Sequence, residues 1–306
     1  MGNMQTTKEN IIKIVKKIVD HRGNPLLVLD LKYIDDDISF LVYDLLAGKS
    51  FENLDVILQT PGGNIGAAFR IIKFLRSSAK NVNIIVPYFA KSAGTLICLG
   101  ANKILVTDIS ELGPLDTQIY EDQGGGTREY ISALNGFKAL EKIQKHTVET
   151  LDIATILILQ RSGMKISEAI RLASEFSGQT SGTLYSKLNP MKIGEYARAL
   201  EIGRKYGLTI LTRYMGWKKE DAMQTVSKLV EQYPSHDFSI DFDELIELGL
   251  PAVKLDDVET DLACKLRPYL IKSLGFKKPI IEFIIPKQKK VKKVKKVKKA
   301  KKWKNN

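Results

Sequence analysis

Apolar segments of strand length alternate with amphipathic segments between residues 26 and 107, and this alternation constrains the fold more than any other feature. The apolar runs 26–31, 54–58 and 82–87 have the length of buried strands, whereas 38–46 and 65–75 repeat with helical periodicity. A strand that is buried on both faces is a continuous apolar run, as in a parallel sheet covered by helices. The pattern therefore predicts an α/β fold with a parallel sheet and helices on both faces.

Two of the predicted strand-to-helix corners have residues suited to acyl-transfer chemistry. The first corner has the sequence QTPGGN (residues 59–64), and the second has YFAKSAGT (residues 88–95), which includes Ser92. Acyl transfer needs a nucleophile and unpaired backbone N–H groups that stabilise an oxyanion, and glycine leaves such groups accessible. Either corner alone is typical of an ordinary turn or helix cap, but the pair at one sheet edge indicates a site.

The order and spacing of four motifs resemble the Clp protease/crotonase superfamily. Within it, the chain is similar to the serine dehydrogenase proteinase family, relatives of signal peptide peptidase A and the Clp proteolytic subunit. The motifs are TPGG (60–63), KSAGT (91–95), LGPLDTQ (112–118) and YPSHDF (233–238), the last followed by a predicted helix at 241–248 and by GLP (249–251). The resemblance covers about residues 24–118 and 231–254, about two fifths of the chain.

This resemblance implies a serine peptidase with a Clp/crotonase-like parallel sheet and no metal or cofactor. Ser92 aligns with the nucleophile of the family, and the N–H groups of Gly63 and Ala93 align with its oxyanion hole. Gly62 and Gly113 belong to the same oxyanion and substrate-binding backbone. A polypeptide substrate would lie extended beside Gly62 and Gly63 and add a strand through backbone hydrogen bonds.

The identity of the general base is left open by the sequence. Gly113 stands where the Clp subunit has its catalytic histidine, so the chain departs from that triad. His236 is the first candidate, with Asp237 or Asp116 to orient it, because imidazole accepts a proton near neutral pH. The alternative is a lysine from a later helix, as in signal peptide peptidase A, with Lys145 as the reserve. The later helical segment contains Lys138, Lys142 and Lys145. Any of these lysines must be desolvated to act as a base.

Two further function classes remain compatible with the sequence. The fold also serves acyl-CoA enzymes of the crotonase type, in which an oxyanion hole stabilises a thioester enolate and Ser92 would be unnecessary. A non-catalytic scaffold that binds anionic partners through a basic tail is the other alternative.

The positive charge of the chain is confined to its C-terminal segment. The formal net charge is +12, and residues 287–304 contain twelve lysines, so the remainder is neutral. A nucleic-acid-binding fold would carry basic residues on its folded surface, which this composition argues against. Dense lysines repel one another and predict a disordered tail, with anionic lipid or nucleic acid as possible partners.

The domain organisation predicted from these patterns has three parts. Residues 1–23 form an amphipathic helix that either packs on its own domain or contacts a membrane surface or another subunit. Residues 24–285 form the hydrolase domain, with a helical insertion at about 128–230 interpreted as a cap or oligomer contact. Residues 286–306 form the Lys-rich disordered tail.

The cellular setting is predicted from the cysteines and from the apolar segments. Cys98 and Cys264 provide no disulfide framework, which favours a reducing cytoplasm. No apolar run is long enough to span a bilayer, and the N-terminus lacks a signal-peptide core. We therefore expect a cytoplasmic homo-oligomer, with peripheral contact to a membrane surface as a further possibility.

Overall fold

The structure, a computed structural model, describes residues 2–115, 118–122, 128–235, 237–276 and 278–286. Asp116, His236 and the Lys-rich tail therefore lie outside the described residues. The strands are β1 (Leu26–Asp30), β2 (Phe51–Gln59), β3 (Ala79–Val86), β4 (Phe89–Ala90), β5 (Lys103–Val106), β6 (Glu111–Leu112), β7 (Gln118–Asp122), β8 (Arg128–Ser132), β9 (Ala252–Lys254) and β10 (Ile280–Ile284).

Ten α-helices occur among the described residues, together with two π-helical segments. They are α1 (Gly2–Arg22), α2 (Asp36–Leu46), α3 (Ile65–Ser78), α4 (Ala93–Cys98), α5 (Ala133–Ser162), α6 (Ile166–Tyr185), α7 (Pro190–Thr209), α8 (Lys219–Ser227), α9 (Phe242–Glu247) and α10 (Asp257–Ser273). The π-helical segments span Ile210–Tyr214 and Lys228–Gln232. No helix among the described residues is long and apolar enough to cross a membrane.

The central sheet has the strand order β10-β1-β2-β3-β5-β9, and all neighbouring pairs are parallel except β10 with β1. Successive residues of β1 enter different cores. Leu27 and Leu29 pack with the cluster that contains α2, α3 and α4, whereas Leu26 and Val28 pack with α1 and α10. The predicted parallel α/β sheet with helices on both faces is confirmed.

The N-terminal helix packs on the sheet and on α10. Ile11, Val15 and Ile18 of α1 are buried in the same cluster as residues of α10. At the end of α1, Arg22 donates to Asp55 at 2.5 Å and also to Glu259 at the start of α10. The apolar stripe of this helix is thus covered by its own fold, which is the first of the alternatives that the sequence left open.

Helix starts near the site follow from side-chain caps. Asn64 accepts a hydrogen bond from the Ala67 N–H at 2.9 Å, so α3 begins directly after the two glycines of the first corner. Asp35 caps α2 in the same way through the Ile38 N–H. The two caps therefore fix where α2 and α3 begin after the sheet edge.

A second layer of backbone pairing covers the carboxyl ends of β2 and β3. The short strands β4 and β6 are parallel to each other, and Thr60 pairs with Ala90. Ile34 pairs with Gly63, and Leu112 pairs antiparallel with Ile240. The pairing of Leu112 with Ile240 joins segments more than a hundred residues apart in sequence, at the edge where the two corners lie.

The helical insertion leaves the domain after β8 and returns through α7. Helices α5 and α6 form an antiparallel pair, in which the Ser177 hydroxyl donates to the Thr147 carbonyl oxygen at 2.9 Å. Helix α7 returns to the core, where Tyr196 and Leu200 are buried with residues of the main cluster. The insertion is thus anchored at its base and extends through α5 and α6.

Candidate functional site

Ser92 has the most unusual backbone of the described residues. Its φ and ψ are 51° and −115°, and no other non-glycine residue in the described ranges has a positive φ. Its residue surface is 6% exposed, at the corner between β4 and α4. Such a conformation costs on the order of 1–3 kcal/mol and persists only where the surroundings impose it. A strained serine on a strand-to-helix turn is the arrangement that presents a nucleophilic hydroxyl.

The two glycines of the first corner are required by close contacts. Gly62 and Gly63 have φ values of 122° and 146°. A Cβ on Gly62 would lie 2.9 Å from the Ser92 Cβ, and one on Gly63 would lie 2.4 Å from both the N and O atoms of Ile34. Only glycine therefore fits at either position, and the first corner lies directly against Ser92.

Backbone pairing determines which way the Gly63 N–H faces. Ile34 donates to the Gly62 carbonyl oxygen at 2.9 Å, and Asn64 donates to the Ile34 carbonyl oxygen at 2.7 Å. In a parallel pair of this register the N–H of Gly63 faces away from Ile34, on the side where Ser92 lies. Within the described part of the chain, neither the Gly63 N–H nor the Ala93 N–H has a hydrogen-bond acceptor. The corner therefore presents two unpaired donors near the serine.

Thr95 holds the third motif against the second corner. Its buried hydroxyl lies 3.0 Å from the Ala90 carbonyl oxygen and 2.7 Å from that of Gly113, and it accepts from the Gly113 N–H at 3.2 Å. A Cβ on Gly113 would lie 2.7 Å from the Lys91 Cδ. Gly113 is thus next to the serine corner, but its N–H is already occupied by Thr95.

Lys91 connects the serine corner to the fourth motif. Its Nζ lies 3.2 Å from a Glu111 carboxylate oxygen, 3.2 Å from the Ser239 Oγ and 3.4 Å from the Phe238 carbonyl oxygen. Ser239 also donates to Glu111. This cluster fastens residues 238–239 beside the residue preceding Ser92. A lysine and a threonine that flank a serine carry no sequence signal of their own, so these contacts of Lys91 and Thr95 cannot be predicted from the sequence.

The candidate bases and their orienting residues differ from one another in exposure and contacts. Asp237 is exposed, and His236 and Asp116 lie outside the described residues. The side chain of Lys145 is 73% exposed and lies 3.7 Å from the Glu149 carboxylate, so nothing desolvates its amine. Lys138 is half-buried, and its Nζ donates to the Tyr233 carbonyl oxygen at 2.5 Å. Of these lysines, Lys138 therefore contacts the motif that contains His236.

Cys98 is not a candidate nucleophile. It is fully buried in α4, six residues after Ser92, and burial raises the pKa of its thiol well above the usual value. Since the thiolate is the reactive form of cysteine, Cys98 is an inert core residue.

One group of potential metal ligands occurs among the described residues, and it is structural. His21, Asp256 and Glu259 lie close together. Asp256 and Glu259 form the capping box of α10, and Glu259 also accepts from Arg22. His21 bonds to Asp256 at 2.9 Å, so these groups fasten α1 to α10.

Comparison with known proteins agrees with the motifs. Residues 23–168 match the family model of the ClpP-like SDH-type serine proteinases, and this range includes both corners and Ser92. This segment, just under half of the chain, is similar to the SDH-type serine proteinase family. The predicted resemblance to this family is therefore confirmed for a segment that includes the first three motifs and Gly62, Gly63, Ala93 and Gly113. The fourth motif, at 233–238, lies outside the matched range.

Two curated relatives of the chain come from Methanocaldococcus jannaschii. The uncharacterized protein MJ0137 is 37% identical over 84 residues, which are 28% of this chain and 29% of that protein. The uncharacterized protein MJ1495 is 24% identical over 240 residues, which are 78% of this chain and 63% of that protein. The chain thus spans less than two thirds of the length of either relative.

A solved structure is also similar to the chain. It is a mutant of the 1510-N membrane-bound stomatin-specific protease, with 24% identity, coverage of 48% of this chain and 68% of that chain, and a TM-score of 0.29.

Proposed function

We propose that the chain is a serine peptidase that hydrolyses peptide bonds through an acyl-enzyme. The Ser92 Oγ attacks the carbonyl carbon of the scissile bond while a base takes its proton, and the carbonyl π electrons move onto oxygen. The N–H groups of Gly63 and Ala93 donate to this oxyanion. Collapse of the intermediate breaks the C–N bond, and the leaving amine takes the proton from the base. Water then attacks the ester in the same way and releases Ser92.

The observation that carries this proposal is the pairing of a strained serine with two unpaired backbone donors. Ser92 has a positive φ, and Gly62 approaches it closely enough to exclude any side chain. A core serine or a helix cap requires neither feature. An acyl-CoA enzyme of the crotonase type would use the two donors but would not need the serine held in this conformation, and a scaffold would need neither. The peptidase is therefore the function that the geometry favours.

We assign the role of base to His236, with Asp237 or Asp116 orienting it. The segment that follows His236 is fastened to the serine corner, because Lys91 binds Phe238 and Ser239. The segment that precedes it is held by Lys138 through Tyr233. Lys138 replaces Lys145 as the competing base, since Lys145 lies in solvent.

The substrate would bind along one edge only of the first corner. Ile34 occupies one side of Gly63 with two backbone hydrogen bonds. A polypeptide in extended form can therefore add only on the opposite side, where the Gly63 N–H is unpaired. The scissile carbonyl would then lie between Gly63 and Ser92.

We retain the cytoplasm as the proposed location, because Cys98 and Cys264 are both free thiols. Binding of anionic lipid or nucleic acid through residues 287–306 stays a prediction, since this tail lies outside the described residues.

Active-site labelling tests the nucleophile. A fluorophosphonate probe phosphonylates an activated serine, so it should modify the wild-type protein at Ser92 and leave Ser92→Ala unmodified, as read by peptide mass spectrometry. Ser110→Ala is the matched control, because Ser110 is also buried and lies at the end of a neighbouring loop. Equal labelling of wild type and Ser92→Ala at another serine would reject the proposal.

The same probe separates the two bases. Labelling should fall by roughly 100-fold or more in His236→Ala, because removing a general base costs about 10²–10⁴ in rate. It should remain near normal in Lys138→Ala and in Lys145→Ala. A loss confined to Lys138→Ala would instead assign a serine–lysine pair and overturn the role of His236.

A further inference from the structure

A bulge separates β3 from β4, directly before the serine corner. Ile57 of β2 pairs with Ile85 of β3, and Thr60 pairs with Ala90 of β4. Between these two pairs β2 advances by three residues (57 to 60), whereas the neighbouring chain advances by five (85 to 90) and so contains two extra residues. Strand β3 ends before Pro87, which has no N–H to continue the ladder. Bulges re-aim the chain and are common next to active sites.

At this bulge a side chain takes the place of a backbone acceptor. Beyond the bulge, Thr60 donates to the Phe89 carbonyl oxygen at 3.2 Å, and Lys91 donates to the Thr60 carbonyl oxygen at 3.0 Å. The N–H of Phe89, the first residue of β4, donates to the Gln59 Oε1 at 3.3 Å. Backbone N–H groups inside a fold need such a partner. The Gln59 side chain therefore joins the start of β4 to the end of β2.

Strand β2 holds Gln59 in the position that this contact requires. Gln59 is the last residue of β2 and is fully buried. It lies two residues after Ile57, which packs with α1 and α10, so its side chain is on the same face of the sheet. On that face it is next to Asp30, its partner in the register of β1 and β2. Among the residues that the structure describes, none accepts a hydrogen bond from the Gln59 Nε2.

The unpaired amide nitrogen argues against a role of Gln59 in stability. A buried donor without a partner destabilises a folded protein, and native structures contain few of them. An apolar side chain of similar length would fill the same space without that penalty. The cost of the unpaired nitrogen offsets the hydrogen bond to Phe89, so Gln59 contributes little net stability.

The position of Phe89 determines the position of Ser92. The two residues are joined by Ala90 and Lys91, whose backbone is paired with Thr60. Ser92 has a φ of 51°, and a non-glycine residue keeps such a conformation only where its surroundings impose it. A displacement of about 1 Å in a reacting group can lower a rate about 100-fold. The register of β4 against β2 therefore controls the reactivity of the serine.

We propose that Gln59 is a positioning residue of the serine corner. Its Oε1 fixes the register of β4 against β2 and thereby the backbone conformation of Ser92. Gln59 acts through β4 and not on the substrate. The inference rests on the proposed role of Ser92 as nucleophile.

Reactivity and stability are measured together to separate positioning from a structural role. Gln59→Met removes the acceptor and keeps a side chain of similar volume. The rate of fluorophosphonate labelling at Ser92 should fall roughly 10–100-fold, whereas the midpoint of urea unfolding should stay close to that of wild type. Gln59→Glu retains an oxygen at the same reach. It should keep most of the labelling rate at pH 6, where burial keeps its carboxyl protonated.

Asn83→Leu is the matched control. Asn83 is a buried amide on the same face of the sheet, but it donates to Asp55 at 2.9 Å, near the amino end of β1. Its loss leaves the buried Asp55 carboxylate with one partner fewer, so the urea midpoint should fall. The labelling rate should not change, because this hydrogen bond is remote from β4.

Backbone hydrogen exchange provides a readout that needs no chemistry at Ser92. The amides of residues 89–92 should exchange faster in Gln59→Met than in wild type and in Asn83→Leu, because β4 is released from β2. If the wild type shows no labelling at Ser92 but this difference appears, the proposed function fails while Gln59 still positions the corner.

Two results would overturn the inference. The first is a Gln59→Met protein with the labelling rate and the exchange rate of wild type. The second is a Gln59→Glu protein that loses as much labelling as Gln59→Met, with a lower urea midpoint in both, since the amide would then be structural. If Gln59→Met does not fold, Gln59→Asn, which shortens the side chain by one methylene, must lose labelling to the same degree.

Discussion

Asp30 should make the fold less stable as the pH rises from acid to neutral. Its side chain lies at the end of β1, it is 3% exposed, and its Oδ1 has no hydrogen-bond partner among the described residues. The Ser273 hydroxyl, which also lies 2.6 Å from the Leu270 carbonyl oxygen, contacts the other carboxylate oxygen. Ser273 has one proton and cannot satisfy both acceptors. A neutral Asp30 donates to Ser273, which is then free to donate to Leu270.

Burial raises the pKa of Asp30 from 3.8 to about 7, and the hydrogen bond from Ser273 opposes this only in part. Between these two values the folded protein retains a proton that the unfolded chain has lost. Unfolding therefore releases a proton, and a rise in pH favours the unfolded state. Each pKa unit corresponds to about 1.4 kcal/mol, so up to about 4 kcal/mol of stability disappears between roughly pH 4 and pH 7.

Asp30→Asn isolates this contribution, because the amide stays neutral and can donate to Ser273 as the protonated acid does. The stability gain of the variant over wild type should be about 3 kcal/mol larger at pH 8 than at pH 5. Urea denaturation followed by circular dichroism at both pH values measures it. Asp44→Asn, the same change at an exposed position of α2, should show no such difference. A gain that is independent of pH, or a variant less stable than wild type at pH 8, would refute the reasoning.

Two further predictions concern the site. Gly63→Ala should lower kcat by about 10²–10³, because the new Cβ must displace Ile34 and, with it, the oxyanion donor. The control is Gly163→Ala, which has a φ of 63° and no atom within 4 Å of the added Cβ, and it should keep full activity. Equal rates in both variants would contradict the assignment. Lys91→Met should lower kcat by roughly 10–100-fold with KM nearly unchanged, because the change releases residues 238–239 from the serine corner. Lys254→Met breaks an exposed ion pair and is the control. Equal losses of kcat in both variants would make Lys91 merely structural.

The parallel sheet and the two corners could be predicted because their signals are local. The run 54–58 is apolar enough to be a strand buried on both faces, and β2 extends it to Phe51–Gln59. Pro61 and the glycines mark the corner by composition alone. Within the predicted helical insertion, α6 runs through Gly178 and Gly182 to Tyr185, although glycine is a weak helix former.

The C-terminal part of the sheet could not be predicted in this way. Residues 257–286 form α10 and the antiparallel strand β10, and neither element is predicted from the sequence. Pro268 interrupts the helical pattern of α10, although the capping box of Asp256 and Glu259 marks its start. Strand β10 lies at the edge of the sheet and pairs with β1. The pairing of Leu26 with Ile284 is a long-range contact that no local sequence pattern encodes.

The geometry of the site has the same origin. Nothing in the sequence around Ser92 requires a positive φ, since serine ordinarily avoids it. The conformation follows from three tertiary constraints. Gly62 packs against the Ser92 Cβ, Thr95 ties the start of α4 to Ala90 and Gly113, and Lys91 is held by Glu111. The residue type therefore identifies a candidate nucleophile from the sequence. The backbone conformation that would activate it is determined by the neighbouring strands. Substitutions at Thr95 or Lys91 should accordingly change the backbone conformation of Ser92 and lower its reactivity.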